Sequence, residues 1–218
     1  MDVESTTSLT LLDRLLTLLT TYHTTHDRTT SLLDSLANLQ SQRNDTIPLL
    51  GATSPSTSGD RWWNSVTTPL IVHEFPDLVE RLLGKQTVAI EHTLKRLHDE
   101  MRGFEKVVGA MDSLQRDAVF KLHEHIASAP NMTQAPPPHP AHITLLETVS
   151  WIDEFHTHLQ REVGAKREML RGLKFEMEGG NLQGVRDRWG LQSGWEMDRE
   201  DEVRERVGLM KANRRLTG

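Results

Sequence analysis

The fold of this chain is decided by residues 90–122, IEHTLKRLHDEMRGFEKVVGAMDSLQRDAVFKL, which carry its clearest apolar repeat. Side chains on this stretch alternate steps of four and three residues: Ile90, Leu94, Leu97, Met101, Phe104, Val108, Met111, Gln115, Ala118 and Leu122. Such spacing places them on one face of an α-helix and is typical of a coiled-coil seam. We therefore predict a long helix that packs lengthwise against other helices.

Two further stretches have the same periodicity. Residues 8–42 place a seam at Leu12, Leu15, Leu19, Tyr22, His26, Thr29, Leu33 and Leu36. Residues 144–178 place another at Leu145, Val149, Ile152, His156, Leu159, Val163, Lys166, Leu170, Leu173 and Met177. Because Thr144 and Glu147 have the spacing of a capping box, the third helix is predicted to begin at that point.

Proline and glycine separate the periodic stretches, so we predict a connection wherever they cluster. The predicted organisation is a first long helix (1–44), a flexible loop (45–74), a central long helix (75–129), a proline-rich connector (130–142), a third long helix (143–180) and a tail with a short helix (181–218). The predicted fold class is all-α: one elongated, antiparallel three-helix bundle with coiled-coil-like seams and a short C-terminal helix.

Composition excludes several classes of function. The 218 residues carry a net charge of −6, so no chain-wide electrostatic attraction favours nucleic acid, and direct RNA binding is disfavoured. With no cysteine there is no disulfide, no thiolate zinc site and no cysteine nucleophile. No apolar run approaches the roughly 20 residues that cross a bilayer, and the N-terminus lacks the pattern of a signal peptide, so no membrane association is predicted.

The sequence contains no recognisable catalytic motif. Gly84-Lys85 lacks the upstream glycine and the following Ser or Thr of a phosphate-binding loop. His123 and His125 are two residues apart, which points their rings to different sides of a helix. We therefore predict neither enzyme activity nor a metal site nor a cofactor.

Two stretches of the sequence resemble one known family. The first contains Phe75-Pro76-Asp77-Leu78, followed by Glu80-Arg81-Leu82 and Lys85-Gln86. The second contains Trp151, Phe155, Lys166-Arg167, Met169-Leu170, Leu173, Gly180-Asn181-Leu182 and Trp189. They are similar to the start of the central helix and to the last long helix with the tryptophan after it in the AIRIM family of ribosome maturation factors, which interact with an AAA-ATPase. The resemblance covers roughly residues 75–189.

The resemblance implies a non-catalytic helical adaptor that works with a type II AAA-ATPase and a small helical partner similar to CINP. It implies indirect contact with the pre-60S particle, a role in 60S maturation, and residence in the nucleus and cytoplasm. The alternative is a coiled-coil scaffold subunit of another assembly, such as a kinetochore or tethering complex, which would share the periodicity alone.

A partner surface is predicted where the long central helix extends beyond its neighbours. The candidate residues are Trp62, Trp63, Phe75, Leu78, Leu82, Trp151 and Trp189. Large apolar side chains that are exposed without an intramolecular cover are typical of interaction sites. The competing interpretation is that residues 45–74 fold back over Leu78 and Leu82, which would make that region part of the core.

Overall fold

The structure, a computed structural model, describes residues 3–52, 74–75, 77–128, 143–173, 179–191 and 194–217. Within these ranges the chain forms five α-helices and no strand. They are α1 (Val3–Ala52), α2 (Leu78–Ser128), α3 (Leu145–Gly172), α4 (Gly179–Gly190) and α5 (Gly194–Thr217). The predicted all-α class is confirmed over the described residues, whereas the specific antiparallel three-helix bundle stays a prediction.

The predicted seams are mostly buried. All eight predicted seam residues of α1 are buried. On α2 the core stripe shifts to Val107 and Leu114, and their predicted neighbours Val108 and Gln115 are half-buried. The shift follows from helix geometry, because a straight helix has 3.6 residues per turn and drifts away from a strict seven-residue repeat.

Several helix ends differ from the sequence-based expectation. α1 continues past residue 44, through Pro48, to Ala52. α3 begins as predicted, since the Thr144 hydroxyl accepts a hydrogen bond from the Glu147 amide at 3.2 Å. Gly179-Gly180, which we expected to end the third helix, instead opens α4. Two glycines at a helix start are tolerated because the first turn lacks internal amide bonds in any case.

The helices distribute over two compact units. Unit 1 comprises residues 1–27, 101–170 and 191–218, and unit 2 comprises residues 28–100 and 171–190. The N-terminal half of α1, the C-terminal half of α2, α3 up to Leu170, and α5 therefore belong to unit 1. Unit 2 takes the remaining halves of α1 and α2 together with α4.

Polar contacts fix the helix directions in unit 1. Between α1 and α2 the contacts are Arg14–Asp117 (2.5 Å) and Glu4–His125 (3.4 Å). Between α2 and α3 they are Gln115–Asp153 and Glu105–Arg167 (2.7 Å). Between α3 and α5 they are Glu154–Arg199 (3.1 Å) and Glu147–Arg206. In each helix pair the numbers rise on one helix while they fall on the other. Each of these three pairs of helices is therefore antiparallel.

α5 packs against α1 as well as α3. Lys211 lies 2.6 Å from Asp13, and the His23 Nε2 lies 2.6 Å from a Glu200 carboxylate oxygen. Burial acts to raise the pKa of Glu200, but hydrogen bonds from His23 and Arg204 outweigh it and hold that pKa below its ordinary value. Val203, Val207 and Met210 are buried. α5 is therefore a core element of unit 1.

A buried cation lies at the centre of unit 1. Lys166 is 1% exposed and forms an ion pair with Glu162, one turn earlier on α3. Its ammonium donates to the Tyr22 hydroxyl at 3.4 Å and lies 5.7 Å and 5.8 Å from the ring centroids of Tyr22 and Phe104. A desolvated ammonium gains stability from a carboxylate and from aromatic faces. Lys166 thus joins α3 to α1 and α2.

Phe104 provides a direct test of this core. The ring is fully buried and lies 5.1 Å from the Tyr22 ring, edge to face. Phe104→Ala would leave a cavity beside Lys166, so we expect a loss of about 3 to 5 kcal/mol in the free energy of unfolding by urea. Phe120→Ala on the same helix is the matched control, because Phe120 is 67% exposed. Equal effects of the two substitutions would contradict the assigned core.

The buried His26 gives unit 1 a pH dependence with a definite sign. Burial first, and then the Lys166 charge, lower the pKa of His26 below 6.5, although the Glu162 and Asp27 carboxylates oppose the shift. The unfolded chain therefore binds the proton more readily, and stability falls as the pH drops below about 6.5, by at most about 1.4 kcal/mol per pH unit for one group.

We expect His26→Gln to make the decline of unfolding free energy between neutral and mildly acidic pH shallower. The measurement is a series of urea titrations across that range. His98→Gln is the control, since His98 is exposed on α2. A variant at His26 with the slope of the unmodified protein would show that this group does not carry the effect.

Candidate partner-binding site

The candidate site lies in unit 2, where the last turns of α1 pair with the first turns of α2. Arg43 donates to the Thr87 hydroxyl at 2.7 Å and to the Leu83 carbonyl at 3.4 Å. The buried Gln86 amide donates to the Thr46 hydroxyl at 3.1 Å. These contacts place residues near the C-terminus of α1 beside residues near the N-terminus of α2. The two termini therefore lie at the same end of unit 2.

That end exposes four large apolar side chains, which we name the apolar end. Ile47 is 44% exposed and Leu50 is 37% exposed on α1. Phe75, just before α2, is 55% exposed, and Leu82 on α2 is 43% exposed. Leu78, which lies between Phe75 and Leu82 in the sequence, is half-buried. Apolar side chains gathered in this way are typical of a surface that binds another molecule.

α4 covers α1 at a different place. Trp189 donates from its indole nitrogen to the Thr29 hydroxyl at 3.1 Å, and Arg186 lies 2.5 Å from Asp34. Both contacts on α1 precede Arg43 by more than two helical turns. The apolar end therefore lies beyond the polar contacts that hold α4 to α1.

The predicted site residues separate into three groups. Phe75, Leu78 and Leu82 lie together at the start of α2, as the sequence suggested. Trp62 and Trp63 lie outside the described residues. Trp151 and Trp189 are buried, so neither side chain offers a surface within its own unit. The role of these tryptophans in partner binding stays a prediction.

The two buried tryptophans have structural contacts in different units. In unit 1, Trp151 lies beneath the guanidinium groups of Arg206 and Arg199 of α5, at 5.0 Å and 6.0 Å from the ring. In unit 2, Trp189 anchors α4 on α1 through Thr29. An indole ring supplies a large apolar area and a single donor, which suits it to hold one helix against another.

Sequence reasoning missed Ile47 and Leu50. Pro48 and Gly51 read as loop signals, so residues 45–74 were predicted to form a flexible loop. The structure keeps α1 helical through this point because Arg43 and Thr46 form tertiary hydrogen bonds with α2. Pro48 removes only one backbone hydrogen bond, which tertiary contacts can offset. The apolar spacing of Ile47 and Leu50 was the available signal.

An exposed ion pair lies beside the apolar end. Asp77 and Arg81 form an ion pair at 2.6 Å, with both side chains largely exposed, so it contributes little stability. No group of three or more histidine, aspartate or glutamate side chains among the described residues could hold a metal ion. Nor does any helix in that part of the chain combine the length and apolar character that crossing a membrane requires.

A comparison with known protein families gives a match to one family model. A family model described as ribosome biogenesis protein C1orf109-like matches residues 62–208, which is more than half of the chain. The matched range begins before Phe75, contains all of α2, α3 and α4, and extends into α5. No curated protein matches the chain with significance.

Proposed function

Because the chain belongs to the C1orf109-like family of ribosome biogenesis proteins, we propose that it is a non-catalytic adaptor subunit of an AAA-ATPase complex in 60S maturation. C1orf109 is AIRIM, so the family is the one that the Phe75 and Trp151 stretches resemble. Membership itself indicates a role in ribosome maturation. The ATPase, its small helical partner similar to CINP and the pre-60S particle are parts of the proposal.

The single observation that carries the proposal is the family match over residues 62–208. It includes the Phe75–Leu82 stretch, in which the Phe75 and Leu82 side chains are exposed at the end of unit 2. A kinetochore or tethering subunit would share the helical periodicity, but it would not account for this match. The family match therefore favours ribosome maturation over the alternative scaffold function.

The proposed adaptor would bind the ATPase complex through the apolar end. Phe75 and Leu82 would bury their exposed area against the ATPase complex, with Ile47 and Leu50 extending the contact. Burial of apolar side chains supplies affinity at about 25 cal/mol per Å² removed from water, before the losses of association. The adaptor would place the ATPase at the pre-60S particle, with the protein present in nucleus and cytoplasm.

A paired substitution tests this role. We expect Phe75→Asp with Leu82→Asp to leave the helical circular dichroism and melting temperature of the isolated protein unchanged, since both side chains are exposed. The same variant, tagged and purified from cells, should lose about tenfold or more of its co-purifying AAA-ATPase and pre-60S factors, as expected when a hot spot receives a charge.

The matched control is Leu146→Asp with Leu209→Asp, which changes two side chains that are 66% and 46% exposed in unit 1. This control should keep the complex. Loss of the complex in both variants, or in neither, would contradict the assignment of the apolar end. Unfolding of the Phe75 and Leu82 variant alone would instead place these residues in the core.

A further inference from the structure

A second exposed surface follows the N-terminal half of α2 in unit 2. The buried side of this helix segment carries Val79, Gln86, Ile90, Thr93 and Leu97. Its outer side carries six exposed residues: Arg81, Lys85, Val88, His92, Lys95 and Arg96. Successive members of this set are three or four residues apart, except that Arg96 directly follows Lys95. Residues spaced in this way lie along one side of a helix. We name this surface the basic face.

The basic face concentrates positive charge in a chain whose net charge is −6. Four of its six side chains are lysine or arginine, and the exposed Asp77 and Asp99 lie on the same side of α2 at the two ends of this surface, which leaves an excess of positive charge between them. Within the part of the chain that the structure describes, Lys85, Lys95 and Arg96 have no ion-pair partner. Arg81 pairs with Asp77 in an exposed contact that a competing carboxylate could replace at little cost.

An apolar position lies within this charged surface. Val88 is 64% exposed, and a Cβ placed on the neighbouring Gly84 would have no atom within 4 Å. Arg81, Gly84, Lys85 and Val88 line a shallow depression that is largely open. Since Gly84 has no side chain, another backbone can approach the helix closely at this point.

We propose that the basic face binds an acidic amphipathic segment of a partner protein. An apolar side chain of that segment would lie on Val88 and Gly84, while its carboxylates would lie opposite Lys85, Lys95 and Arg96. Charge complementarity of this kind guides encounter and fixes the register of two helices. None of the six residues of this surface belongs to the apolar end, and the proposal does not depend on the AAA-ATPase role.

A protein segment fits this surface better than RNA does. Val88 offers no contact to a phosphate backbone, whereas it can bury area against an apolar side chain. Glu80 and Glu91, both exposed, border the basic face on α2 and would repel a continuous line of phosphates. A folded or folding peptide can place neutral side chains opposite these two acids.

Fluorescence anisotropy of the full chain with a labelled three-heptad peptide tests the proposal. The peptide has leucine at two positions of each heptad and glutamate beside them, and a matched peptide has glutamine for each glutamate. We expect the glutamate peptide to bind about tenfold or more tightly than the glutamine peptide at low salt, and to weaken as salt screens the charges. Equal affinity for the two peptides would overturn the proposal.

Charge reversal locates the binding. The combined variant Lys85→Glu, Lys95→Glu, Arg96→Glu should weaken the glutamate peptide about tenfold or more. Its control, Arg28→Glu, Arg188→Glu, Arg215→Glu, changes net charge equally at exposed positions elsewhere and should have little effect. If circular dichroism shows that the first variant is unfolded, glutamine at the same three positions replaces it. Equal losses in variant and control would overturn the assignment.

Val88 distinguishes a protein segment from a polyanion. We expect Val88→Ser to weaken the glutamate peptide and to leave the weaker binding of an oligouridylate unchanged. Tighter binding of the oligouridylate than of the peptide, insensitive to Val88→Ser, would replace the protein partner by RNA and overturn the proposal. Phe75→Ser with Leu82→Ser, which adds no charge beside Arg81 and Lys85, should not change peptide affinity, so failure here is distinguishable from failure of the adaptor role.

Discussion

Pairing of α1 with α2 is the constraint on which the other elements depend. Both helices are about 50 residues long, and each contributes one half to unit 1 and the other to unit 2. Aromatic contact between Tyr22 and Phe104 joins them in the first unit, and Arg43 with Thr87 joins them in the second. α3 and α5 then complete unit 1. α4 completes unit 2, but it covers only part of the paired α1 and α2 helices there.

The buried charge of Lys166 restricts how unit 1 can pack. An apolar side chain at this position could contact many neighbours equally well, but an ammonium needs Glu162, the Tyr22 hydroxyl and two aromatic faces around it. Glu162 would move together with Lys166, but moving α3 along α1 by one turn would take the ammonium away from the Tyr22 hydroxyl and from the two aromatic rings, and the buried charge would lose part of its compensation. We interpret Lys166 as the residue that fixes the register of α3 in unit 1.

The sequence predicted those features that periodicity controls. The α1 seam from Leu12 to Leu36 is buried throughout, and Lys166 lies on the predicted seam of α3. Features that depend on tertiary contacts were not predictable in the same way. Helix propensity ends α1 near Pro48, yet contacts with α2 extend it and place Ile47 and Leu50 in the candidate site. Leu78 and Leu82 were identifiable because they precede the region where α2 has its full seam.

Hydrogen exchange of the full chain, alone and in the complex purified from cells, tests the central claim that the apolar end is the partner surface. Amides of residues 43–50 and 77–90 should exchange more slowly in the complex, because a bound partner suppresses local opening there. Slower exchange confined to α5, with the apolar end unchanged, would contradict the account and place the partner surface on unit 1.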